Sequence, residues 1–136
     1  MTKQQRINAF VKLGAQLLKQ PEDLTQIVQL ARHKNPWYTI QYVEKAIRAI
    51  SSNLTAERLN QWLSPYPYIT SPKTVGLILA GNVPLVGFHD ILSCLISGFQ
   101  AKIKVSSNDA GLTTYVLNLL KEIEPDFGAA FEIVDK

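Results

Sequence analysis

The chain has 136 residues, 46% of them hydrophobic and 18% charged, with a formal net charge of +3. That balance fits one globular domain of ordinary size and excludes a disordered chain. Lysines and arginines are scattered, so the footprint of nucleic-acid binding is missing, and the single cysteine, Cys94, excludes an internal disulfide framework and points to a reducing compartment.

No apolar run reaches the length of a membrane span, and the start MTKQQRINAF lacks a signal core, so a cytoplasmic protein is expected. Residues 1–64 read as helices. Ile7, Phe10, Val11, Gly14, Leu17 and Leu18 recur at three-and-four spacing and give a first helix one apolar side. Pro21 closes it, and Asp23 is placed to cap a second helix with Leu24, Ile27, Val28 and Ala31 inward. Asn35-Pro36 is a break. Thr39 then caps a third helix carrying Ile40, Val43, Ile47 and Ile50. Thr55 caps a short fourth, with Leu59, Trp62 and Leu63 on its inner side. Pro65-Tyr66-Pro67-Tyr68 is non-helical, because each proline pushes its predecessor into extended geometry. It is the expected connector to a second unit, residues 65–136, with Tyr66 and Tyr68 as packing residues.

The second unit alternates. Thr74 to Leu79 is a strand, and Val86 to Ser97 is a helix apolar nearly all round, ended by Gly98. Ala101 to Val105 is a second strand. Asp109 is placed to cap a helix with Leu112, Val116, Leu119, Leu120 and Ile123. Pro125 ends that helix, and Ala130 to Val134 is a third strand. The order strand-helix-strand-helix-strand predicts an α/β fold with parallel strands and right-handed crossovers, half of a dinucleotide-binding sheet. A three-stranded sheet with an open edge is also expected to be part of a longer protein.

Ligands of open parallel sheets sit beyond the carboxyl ends of the strands. Two segments lie there: Ala80 to Pro84, and Val105 to Asp109. Gly81 permits close backbone approach, and the helix after Pro84 offers free N–H groups. Neither a Gly-Lys-Ser/Thr loop nor G-x-G-x-x-G is present, so spacing alone does not assign a nucleotide. Asn82 is either a turn residue bonding its own backbone or an N–H donor to a developing oxyanion. Lys104, on the same strand face as Lys102, is either a solvated lysine or a ribose or phosphate contact. Ser106 and Ser107 are turn or site residues. His89 and Asp90 look like a catalytic pair but are sequence neighbours that point apart on a helix, which leaves His89 alone as an acid or base candidate and gives Asp90 to the helix dipole. His33 is a structural residue, and Cys94 is a small core residue. No metal site is expected.

At this point the residues carry a resemblance. The run VGLILAGNVPLVGFHDILSCLISGFQAKIKVSSND resembles the amino-terminal part of the acyl-CoA reductases, the LuxC-type fatty-acid reductases of the aldehyde dehydrogenase superfamily. The upstream NPWYTIQYVEKAI and LTAERLNQWLSPY resemble that family's helical lead-in, so the likeness spans nearly the whole chain. It implies a partial Rossmann-like sheet and reduction of an acyl thioester to the aldehyde. A cysteine nucleophile releases coenzyme A, and NADPH then reduces the acyl-enzyme. In that reading Asn82 stabilises the oxyanion, Lys104 meets the adenosine ribose, and Ala80 and Gly81 lie by the cofactor through their backbone. Ser106 and Ser107 stand where the superfamily often has Ser-Glu. Loss of the glutamate removes a charge that repels a 2′-phosphate, which favours NADPH over NADH. The family's cysteine lies in a later domain and Cys94 does not replace it, so this chain alone is expected to be inactive. Its expected partners are the acyl thioester and the remainder of a parent chain, with self-assembly left open. The rival expectations are a standalone nucleotide-binding module and a helical interaction module, both without catalysis.

Overall fold

The computed structural model describes residues 1–69 and 72–135. Its first half holds helices α1 (Lys3–Leu18), α2 (Glu22–Lys34), α3 (Ile40–Asn53) and α4 (Ala56–Leu63). Thr2 opens α1 with a capping box: its hydroxyl accepts from the Gln5 N–H, and the Gln5 side chain accepts from the Thr2 N–H. Thr39 and Thr55 cap α3 and α4 as expected. Asp23 does not cap α2. Pro21 holds that position without a side-chain cap, and Asp23 falls within the first turn, where a negative charge suits the helix dipole. There it accepts from the Tyr115 hydroxyl at 2.9 Å and ties α2 to a later helix.

The second half holds β1 (Thr74–Ile78), α5 (Phe88–Ile96), β2 (Gln100–Lys104), α6 (Leu112–Ile123), a 3-10 turn over Pro125–Ala129, and β3 (Phe131–Ile133). The strands are parallel, in the order β1-β2-β3, with Gly76 opposite Lys102 and Lys102 opposite Glu132. The described residues are therefore α/β: six helices and a small three-stranded parallel sheet. Two helix starts in this half differ from expectation. Val86 lies in a turn rather than in α5, because the chain reverses over Pro84–Gly87 with Leu85 left-handed at φ 57°. Asp109 stands two residues outside the Gly111 cap position of α6, yet its carboxylate still takes the Thr113 N–H and hydroxyl.

Apolar residues of both halves form one continuous core. Phe10 of α1 meets the Phe88 and Phe127 rings edge-on, at 6.4 and 5.7 Å between centroids. Arg6, also on α1 and buried, donates to the Leu95 carbonyl near the end of α5 and lies 5.7 Å over Phe127. Its charge faces the negative end of that helix, a favourable placement. Trp62 sits at the rim rather than inside, beside His89 at 5.8 Å, and Tyr66 is exposed rather than packed.

Along β2, Ala101 and Ile103 are buried while Gln100, Lys102 and Lys104 are exposed. In register, Thr74, Gly76 and Ile78 share that exposed side. One sheet face thus packs on the core and the other is open, which is why lysines are tolerated mid-strand. No described helix is long and apolar enough to cross a membrane.

Candidate functional site

The segment after β1 (79–87) and the segment after β2 (105–111) meet beyond the carboxyl ends of the strands. Their contact is Gly81. A Cβ there would lie 2.7 Å from Ser106 Cβ, 3.1 Å from Asn108 Cβ and closer still to Ser106 Oγ. Only a residue without a side chain lets the two loops approach so closely. The close approach that Gly81 allows is therefore to the neighbouring loop. Each loop also holds a buried left-handed residue, Leu85 at φ 57° and Ala110 at φ 60°. Such backbone costs about 1–2 kcal/mol for a residue with a Cβ, and the surrounding packing must supply it. Ser106 Oγ accepts from the Asn108 N–H at 3.1 Å, a turn bond that shapes the second loop.

Both loops are fastened from the helical half. Tyr38, fully buried between α2 and α3, donates its hydroxyl to the Gly81 carbonyl at 2.7 Å. Asn35 donates Nδ2 to the Asn108 carbonyl at 2.9 Å, while its Oδ1 accepts from the Trp37 N–H. One short linker therefore grips both walls. Sequence reasoning treated Asn35-Pro36 as a break and missed this brace. The available signal was an aromatic pair in a five-residue interhelical linker, since a tyrosine in so short a connection has a reason to be buried.

Burial pushes the Tyr38 phenol up to about 12 from an ordinary 10.0, with the nearby charge of Asp109 adding to the effect. The folded chain thus holds this proton more tightly than the unfolded one. The associated stability is complete below about pH 10 and is lost as pH rises toward about 12. Tyr38→Phe leaves the buried Gly81 carbonyl without its donor and is expected to cost about 1–2 kcal/mol at pH 7. The same variant should flatten part of the stability loss between pH 10 and 12, measured by urea unfolding across that range.

A cleft of about 700 Å³ opens at the carboxyl ends of all three strands, where ligands of parallel sheets bind. Lys104, Ser106 and Ser107 line it, together with Lys34 from the end of α2 and Asp135 beyond β3. Asp109 is there too, but both its oxygens are taken by Thr113. Burial moves its carboxyl upward, against those bonds. Ala80, Gly81 and Asn82 do not line this cleft. Ala80 and Asn82 are exposed on the first loop, and Gly81 is buried beneath Ser106. The Asn82 side chain makes no hydrogen bond among the described residues, so a turn bond to its own loop is not what it does here. The cleft therefore gathers three of the six predicted site residues, with the other three on the adjoining loop.

The remaining candidates lie elsewhere. Lys102 faces the open side of the sheet beside Glu132. His89 is exposed against Trp62. Cys94 is buried in α5 with Sγ toward the Gln100 carbonyl at 3.6 Å, and burial raises its pKa, which is the wrong direction for a nucleophile. Among the described residues, no group of three or more His, Cys, Asp and Glu is arranged to hold a metal ion. No protein-family model, curated protein or solved structure matches the chain.

Proposed function

We propose that this chain is the helical lead-in and half of a Rossmann-like cofactor domain, of the aldehyde dehydrogenase type, from an NADPH-dependent acyl-CoA reductase. The observation that carries the reading is the cleft: Lys104, Ser106 and Ser107 open onto one space at the carboxyl ends of three parallel strands. Its volume suits part of a dinucleotide, and the wall formed by Lys104, Ser106 and Ser107 offers donors for a ribose-phosphate. Lys104 would hold the ribose or its phosphate by a charge-assisted bond, and the hydroxyls of Ser106 and Ser107 would add neutral donors. The dinucleotide, when bound, supplies the hydride.

Asn82 is the residue assigned to the reacting end. Its exposed and unengaged carboxamide supports a role as donor to the oxyanion of an acyl thioester, a contribution of about 3 kcal/mol in a water-poor site. The brace from Tyr38 and Asn35 holds its loop against the cofactor loop, so donor and cleft keep a fixed separation. Cys94 is sealed in the core, so the acyl-cysteine step belongs to a cysteine on a further segment. NADPH titrated into the chain is expected to bind, and Lys104→Ala to weaken it about tenfold by calorimetry, the loss of one charge-assisted contact. Equal affinity of the parent and Lys104→Ala would sink the assignment.

A further inference from the structure

We infer that Lys34 selects a 2′-phosphorylated dinucleotide over its unphosphorylated counterpart, and so makes the helical half part of the cofactor site. The inference rests on the NADPH reading of the cleft. Lys34 is the last residue of α2 and lines the same space as Lys104, Ser106 and Ser107. Its position is set by its neighbour: Asn35 Nδ2 is bonded to the Asn108 carbonyl of the very loop that carries the two serines. A flexible lysine is thus presented from a fixed anchor, on a different structural layer from the lysine at the end of β2.

Charge decides what two such ammonium groups can hold. Two carboxylates also line the cleft, Asp109 and Asp135. Asp109 is buried with both oxygens engaged by Thr113, so its charge is turned to the cap of α6. Asp135, exposed beyond β3, opposes an anion in this cleft, so Lys104 alone would leave no surplus of positive charge and Lys34 supplies it. The carbonyl end of α2 itself repels an anion, so the attraction at that wall comes from the ammonium alone. One lysine and hydroxyls suffice for a neutral ribose. A second lysine gains most from a phosphomonoester, which carries nearly two negative charges at neutral pH. Lys34 is exposed, so its replacement is expected to leave the fold intact.

Calorimetric titration of NADPH and of NADH separately into the parent chain, Lys34→Gln and Lys34→Arg tests this. The parent is expected to bind NADPH the more tightly. Lys34→Gln should weaken NADPH about tenfold and leave NADH within about twofold, and Lys34→Arg should retain the preference. The preference should also shrink as salt rises, since the contact is partly exposed. If Lys34→Gln weakens both nucleotides equally, or neither, Lys34 is not the selecting residue while the cofactor reading stands. If the parent binds neither nucleotide, the cofactor reading fails and this inference fails with it.

Discussion

Phe10→Ala is expected to destabilise the whole chain by about 3–5 kcal/mol, the usual cost of removing a buried phenylalanine. The ring is fully buried on α1, yet its partners belong to the other half: Phe88 opens α5 and Phe127 lies in the turn after α6. Truncation empties a space bounded by three elements, each held by other contacts, so collapse into the cavity is limited. For a domain with about 5–15 kcal/mol in hand, that loss is a large fraction of the total. Amide exchange at Val43 and Ile47 reports on the helical half, and at Ala101 and Ile103 on the sheet. Both signals should move together in urea, because one core joins the halves. Sheet protection that survives in Phe10→Ala while protection at Val43 and Ile47 is lost would show that the halves fold separately.

Gly81→Ala should cost about 3 kcal/mol and remove cofactor binding as well. The added methyl would overlap Ser106 Cβ, a main-chain-anchored atom that no rotamer change can withdraw. The loops must therefore part, which pulls the Gly81 carbonyl from Tyr38 and shifts the serines that line the cleft. A second substitution separates crowding from other causes. Ser106→Gly removes the opposing Cβ, so the double variant should recover most of the lost stability, a coupling expected of residues in contact. Additive losses in the double variant would mean that the Ser106 Cβ is not what Gly81 must avoid.

The sequence shows the fold more fully than the site because periodicity is local. Spacing of Ile7, Phe10, Leu17 and of Val43, Ile47 marks helices whose buried faces match, and the threonine caps at Thr39 and Thr55 are one-residue signals. Alternation in Gln100–Lys104 is also local, but its meaning is not. Alternating lysines indicate one open sheet face, whereas a sheet covered on both faces would read as continuous apolar residues. Start positions shifted at α5 and α6 because left-handed Leu85 and Ala110 are not residues that announce such backbone. In the site, Lys104, Ser106 and Ser107 were legible from position at a strand end. Asn35 and Tyr38 were not, since their partners are more than forty residues away and are backbone carbonyls, which carry no sequence signature. Lys34 was invisible because only the fold brings the end of α2 to the carboxyl ends of the strands.

The joined loops and their cleft are tested most directly by titrating NADPH into the isotopically labelled chain and following the backbone amides. Shifts are expected to cluster at residues 78–83 and 104–111, with those at the amino ends of the strands, Thr74 and Gln100, unmoved. Shifts confined to the amino ends, or none at millimolar NADPH, would contradict the assignment.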